Sequence, residues 1–75
     1  MSIDYALAQR LFRKHKAALT RAKNTRSPQA VIKAVEAAYA EWDANDIPYP
    51  DSWHDWERAR DDAQLAIAYG TPFRG

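Results

Sequence analysis

Side chains able to do acid–base, nucleophilic or metal chemistry are sparse in this chain. It has no cysteine, and its two imidazoles are His15 and His54. A structural zinc site of the usual Cys/His kind therefore lacks its ligands. The acidic run from Asp43 to His54 can be laid on a calcium-loop template, in which the first, third and ninth positions offer oxygen. Ile47 and Tyr49 then occupy the fifth and seventh positions, Pro48 stands where the turn needs glycine, and His54 replaces the closing bidentate glutamate. Calcium binding is rejected on the mismatches at Ile47, Pro48 and His54. His54, Glu57 and Asp61 share a helical face and could hold a divalent ion. The preferred reading is a solvated face on which Arg58 pairs with Asp61 and Asp62.

The chain has no Gly-rich phosphate loop, no Gly-x-Ser-x-Gly elbow and no His-Glu-x-x-His helix. A small helical domain also rarely encloses a pocket of several hundred cubic ångströms. The expectation is a protein that is not an enzyme, with no catalytic residue, metal or cofactor. His15, flanked by Phe12 and Leu19, reads as a packed, hydrogen-bonded histidine at the edge of a core. A buried switch or proton carrier is the alternative.

Binding surfaces remain. Tyr49, Trp53 and Trp56 put three aromatic residues beside a Pro-rich connector, with His54 between the tryptophans, and Trp and Tyr are favoured interface anchors. In the competing reading, Trp53 and Trp56 close the end of the core against Trp42. Ile32 and Tyr39, off the core stripe of their helix, form with Leu65 and Tyr69 an apolar shoulder of the kind that marks interaction sites, and Phe73 is placed to fold back beneath it. Arg10, Arg13, Lys14 and Arg21 line one helical face and could track a phosphate backbone by counterion release. Against nucleic acid, the third helix carries Asp55, Glu57, Asp61 and Asp62, and the basic face lacks interleaved aromatic platforms.

The elements that must position these groups are three helices, because apolar residues recur at helical spacing and every Gly and Pro falls at or beyond the ends of those stripes. The first spans about residues 2–23, capped by Ser2, with Tyr5, Ala8, Leu11, Phe12, His15, Ala18, Leu19 and Ala22 on one face. The second spans 28–44, opened by Ser27 at N-cap and Pro28 at N1, with Val31, Ala34, Val35, Ala38 and Trp42 inward. It ends near Asn45, a residue that tolerates the left-handed conformation. The third spans 52–69, begun by a Ser52/Asp55 capping-box spacing and stopped at Gly70. Its stripe is Trp53, Trp56, Ala59, Ala63, Ala66 and Ile67, and large residues of the other helices are expected to fill the space its alanines leave. Short connections favour an all-α, up-down-up three-helix bundle, with a helix-turn-helix arrangement as the alternative.

With 75 residues the chain makes one domain, residues 1–75, of which 70–75 form a short tail. A core this small without disulfides needs well-packed helices or a partner copy for comfortable stability, so a homodimer is possible. The N-terminus has no apolar block resembling a signal peptide, and no stretch approaches the roughly 20 apolar residues of a membrane span. A soluble, cytoplasmic protein with no membrane partner is expected. Net charge is +1, yet residues 1–26 carry seven Lys/Arg against one acid and residues 27–75 carry four against nine. That asymmetry favours either a polyanionic partner or complementarity between the halves.

The run Tyr-Pro-Asp-Ser-Trp-x-x-Trp-Glu-Arg-Ala-x-x-Asp-Ala at residues 49–63 resembles segments of small uncharacterised proteins of actinobacteriophages and their actinobacterial hosts. The similar run covers a fifth of the chain and contains no catalytic motif. It implies a short phage protein that acts in the host cytoplasm by binding a host protein, and assigns no residue a role. The reading is thus a protein-binding module of the host-modulating kind, with a small nucleic-acid-binding protein as the alternative.

Overall fold

The computed structural model describes residues 4–73. They form three helices, α1 (Tyr5–Asn24), α2 (Pro28–Ala44) and α3 (Trp53–Tyr69), with no strand among the described residues. No helix among them is long and apolar enough to cross a membrane. The fold is the all-α three-helix bundle that the periodicity predicts. Its second helix has the predicted bounds, because Ser27 accepts the Ala30 amide at 3.3 Å and Pro28 sits in the first turn.

The other helix starts differ from expectation. The cap of α1 is Asp4, whose carboxylate accepts the Leu7 amide at 3.0 Å, while Ser2 lies outside the described residues. Ser52 flanks α3 but makes no side-chain cap. The connector itself supplies acceptors, with the Trp53 amide donating to the Pro50 carbonyl and the Asp55 amide to that of Ser52, both at 2.9 Å.

All three helices end on a residue in the left-handed region: Arg26 (φ 56°), Asp46 (φ 53°) and Gly70 (φ 63°). After α2 the closing residue is Asp46, since Asn45 has φ −105°. The Ile47 amide returns to the Trp42 carbonyl at 2.9 Å and the Asp46 amide to that of Asp43 at 3.2 Å, the bond pair of a Schellman motif. That motif brings Ile47 back onto Trp42, and both are buried. The same pair recurs after α3, from Thr71 to Ala66 and Gly70 to Ile67.

The core follows the predicted stripes through Ala8, Leu11, Leu19 and Ala22 of α1, Val31, Val35, Ala38 and Trp42 of α2, and Trp56, Ala59 and Ala63 of α3. Three stripe members leave it, Tyr5 of α1 being 72 % exposed. Trp53 is 38 % and Ile67 46 % exposed, each lying at the margin of the α3 stripe. Phe73 does fold back against the core. Successive contacts of α2 with α1 (Phe12 with Trp42, His15 with Glu41) and with α3 (Trp42 with Trp56, Tyr39 with Arg60) run in opposite directions along the helices, so neighbours are antiparallel.

The bundle is nevertheless open on one side. Both outer helices pack along α2, but no Cα of α1 comes within 8 Å of one in α3. The alanines of α3 are nevertheless covered, Ala59, Ala63 and Ala66 being 8 %, 0 % and 6 % exposed. A groove of about 410 Å³ remains between α1 and the start of α3, with Phe12, Leu19 and Trp56 along it, Lys16 and Lys23 on the α1 side and Asp55 on the α3 side. The molecule is correspondingly long, 45 × 18 × 18 Å.

Candidate functional site: the aromatic corner between helices two and three

Trp42 is the hub on which the site is built. It has no exposed surface, and the rings of Phe12, His15, Tyr39, Tyr49 and Trp56 surround it with centroids 5.2–6.2 Å away. The closest two, Phe12 and Trp56, meet it edge to face, a favourable arrangement of aromatic quadrupoles. Its indole Nε1 has no hydrogen-bond partner. Trp56, expected from the sequence as one of the anchors of the binding corner, is 6 % exposed and belongs to this hub, so it supports the surface from beneath.

Outside the hub the connector carries Tyr49 over Tyr39, with their rings stacked at 5.0 Å and 13°. The Tyr49 hydroxyl donates to both carboxylate oxygens of Asp43, at 3.1 and 3.3 Å. Partial desolvation and then that bond raise its phenol above the ordinary value. Tyr39 is half-buried and donates to Glu57 Oε1 at 3.0 Å. Burial first, and then the Glu57 carboxylate, push its phenol well above the ordinary value. Arg60 completes the cluster, paired with Glu57 at 2.9 Å and lying 5.5 Å above the Tyr39 ring. Arg60 thus takes the pairing role expected of Arg58, which is exposed and makes no ion pair with Asp61 or Asp62.

Trp53 and His54 open α3 at the edge of this cluster, both exposed, with rings 3.7 Å apart and tilted 33°. Tyr49 is 42 % exposed. The corner thus presents Tyr49, Trp53 and His54 on a packed base. Asp43 is bonded to Tyr49, and Asp46 and Asp51 are exposed along the same connector. The chain matches no protein-family model, no curated protein and no solved structure.

The structure divides the expected apolar shoulder. Ile32 and Tyr39 are half-buried against the core, whereas Leu65 and Tyr69 are 51 % and 75 % exposed. On the basic face, Arg10, Arg13 and Arg21 are exposed and lie in no ion pair among the described residues. Lys14 is drawn off to Glu41, at 3.0 Å. The same carboxylate oxygen lies 3.0 Å from Nε2 of His15, which is buried as expected of a core-edge histidine. Hydrogen bonds from Lys14 and then His15 hold the Glu41 carboxyl below its ordinary value.

Two features escape a reading of residue types and spacing. The groove between α1 and α3 has no motif of its own. Ile47 sits in the Pro-rich connector outside every helical stripe, and its signal is the hydrophobic pair it forms with Trp42 across a helix end.

Proposed function

We propose that this protein is a non-enzymatic protein-binding module and that the aromatic corner is its working surface. The observation that carries this reading is the fixed setting of Tyr49 and Trp53. One ring is stacked on Tyr39 and tied to Asp43, the other is packed on His54, and both keep more than a third of their surface exposed. Aromatic anchors held in place before binding lose little side-chain entropy on association. The connector carboxylates Asp43, Asp46 and Asp51 favour a partner with basic groups bordering an apolar contact, and they repel nucleic acid. The similarity of residues 49–63 to actinobacteriophage proteins supports a cytoplasmic host protein as that partner.

Affinity capture from an actinobacterial lysate tests the proposal. A specific protein retained by the wild type should be lost with Trp53→Ala or Tyr49→Ala and kept when Arg10, Arg13 and Arg21 are changed to Glu. No specific capture, or capture indifferent to both corner substitutions, rejects it.

A second reading rests on the unpaired Arg10, Arg13 and Arg21 of α1 as a phosphate-binding face. It predicts DNA or RNA binding that weakens steeply with salt and disappears in the triple Glu variant, while Trp53→Ala binds normally. Gel-shift titrations at several salt concentrations separate the two.

A further inference from the structure

The open side of the bundle and the outer face of α3 fit each other. Arg58, Asp62, Leu65 and Tyr69, at i, i+4, i+7 and i+11, form one exposed stripe on α3. Asp62 and Tyr69 also continue, one heptad apart, the row begun by Asp55 at the groove, so stripe and groove are adjoining parts of one surface. The groove is lined by half-buried Phe12, with Leu19 and Trp56 largely covered at its floor, and offers Lys16 and Lys23 for acids. The stripe offers Leu65 and Tyr69 beside Asp61 and Asp62. It also carries Arg58 and Asp62, a pair of opposite charges one turn apart that is self-complementary when two such helices run antiparallel.

The size of the molecule points the same way. A compact monomer of 8.6 kDa exposes roughly 4,700 Å², whereas this chain exposes 5417 Å². Its radius of gyration is 13.1 Å, against roughly 11 Å for a compact domain of this length.

We infer that a second copy of this chain fills the groove, the two α3 helices packing antiparallel about a two-fold axis. Leu65 and Tyr69 of each copy enter the groove of the other, and Arg58 of each faces Asp62 of the other. Such an interface is isologous and closes at two chains. It leaves Trp53 outside the contact, because two residues of helix turn its side chain to nearly the opposite side of α3 from Asp55.

Sedimentation equilibrium of the full chain over a wide concentration range tests this, with circular dichroism confirming helicity. The wild type should reach twice 8.6 kDa as concentration rises. Leu65→Glu with Tyr69→Glu should halve that mass with helicity unchanged, since both side chains are exposed. Arg58→Glu and Asp62→Arg should each weaken the dimer and the double swap should restore it. Trp53→Ala should leave the mass unchanged, which keeps this result separate from partner capture at the corner. A monomer at every concentration overturns the inference and leaves the groove to a foreign helix. A dimer that survives the Leu65/Tyr69 pair of substitutions, or an assembly larger than two chains, overturns it as well.

Discussion

His15 on α1 and Glu41 on α2 meet at 3.0 Å, and the buried imidazole shares its carboxylate oxygen with the exposed ammonium of Lys14. Across the molecule Glu57 plays the same part for Tyr39 and Arg60. Each helix interface thus carries one glutamate that gathers two partners at the edge of the apolar core. The two clusters respond to opposite ends of the pH scale.

Acidification acts through Glu41. Its folded-state carboxyl is held below the ordinary 4.5, so its stabilising contribution is complete above that value and is lost as pH falls through the lowered one. Alkali acts through Tyr39, whose raised phenol contributes fully below 10.0 and loses that contribution as pH climbs from there through the raised value. Urea midpoints measured against pH should therefore drop on both flanks. Glu41→Gln should flatten the acid flank alone. Tyr39→Phe should reduce the alkaline flank to the share of Tyr49, whose phenol is also raised, and cost about 1 kcal/mol near neutrality.

Trp42→Ala removes the hub and should cost about 3–5 kcal/mol, a large part of the stability of any domain this small. Trp42→Phe should cost well under half as much. It keeps a ring among the neighbouring rings and deletes the indole N–H that is buried without a partner. Chemical denaturation followed by circular dichroism gives both values, and equal losses would show that the neighbouring rings contribute little.

The two serines at helix starts should behave differently. Ser27→Ala should destabilise by about 1 kcal/mol, because its oxygen caps α2. Ser52→Ala should change stability by less than about 0.5 kcal/mol, since its side chain caps nothing and only its carbonyl serves the first turn. Thermal unfolding of the two variants checks the contrast.

These serines also show what could be read from residues alone. The Ser27-Pro28 pair combines a capping hydroxyl with a ring that fits only the first turn, and it locates the start of α2 to the residue. Ser52 offers a hydroxyl in a connector whose own carbonyls reach the helix first, so the same residue type is left without the role. Stripe periodicity identifies which faces turn inward, and the buried rows of all three helices agree with it. Periodicity contains no distance between axes, and the residues of α1 and of the start of α3 that line the groove read the same beside a closed or an open neighbour. The groove is invisible in the sequence for that reason. The corner is half legible: Tyr49, Trp53 and His54 are exposed, but Trp56, only three residues from Trp53, turns into the core.

The separation of the outer helices has a kinetic side. Among the described residues helix contacts join only consecutive elements, α1 with α2 and α2 with α3, and the connections are short. Neither terminal helix must search across the whole chain for the other before it is rewarded. Such low contact order places the molecule among rapid folders, reaching the native state in microseconds to milliseconds. Native-state hydrogen exchange should rank accordingly, with the amides of α2 opening last because two neighbours hold them and those of α1 and α3 each released when one contact is lost.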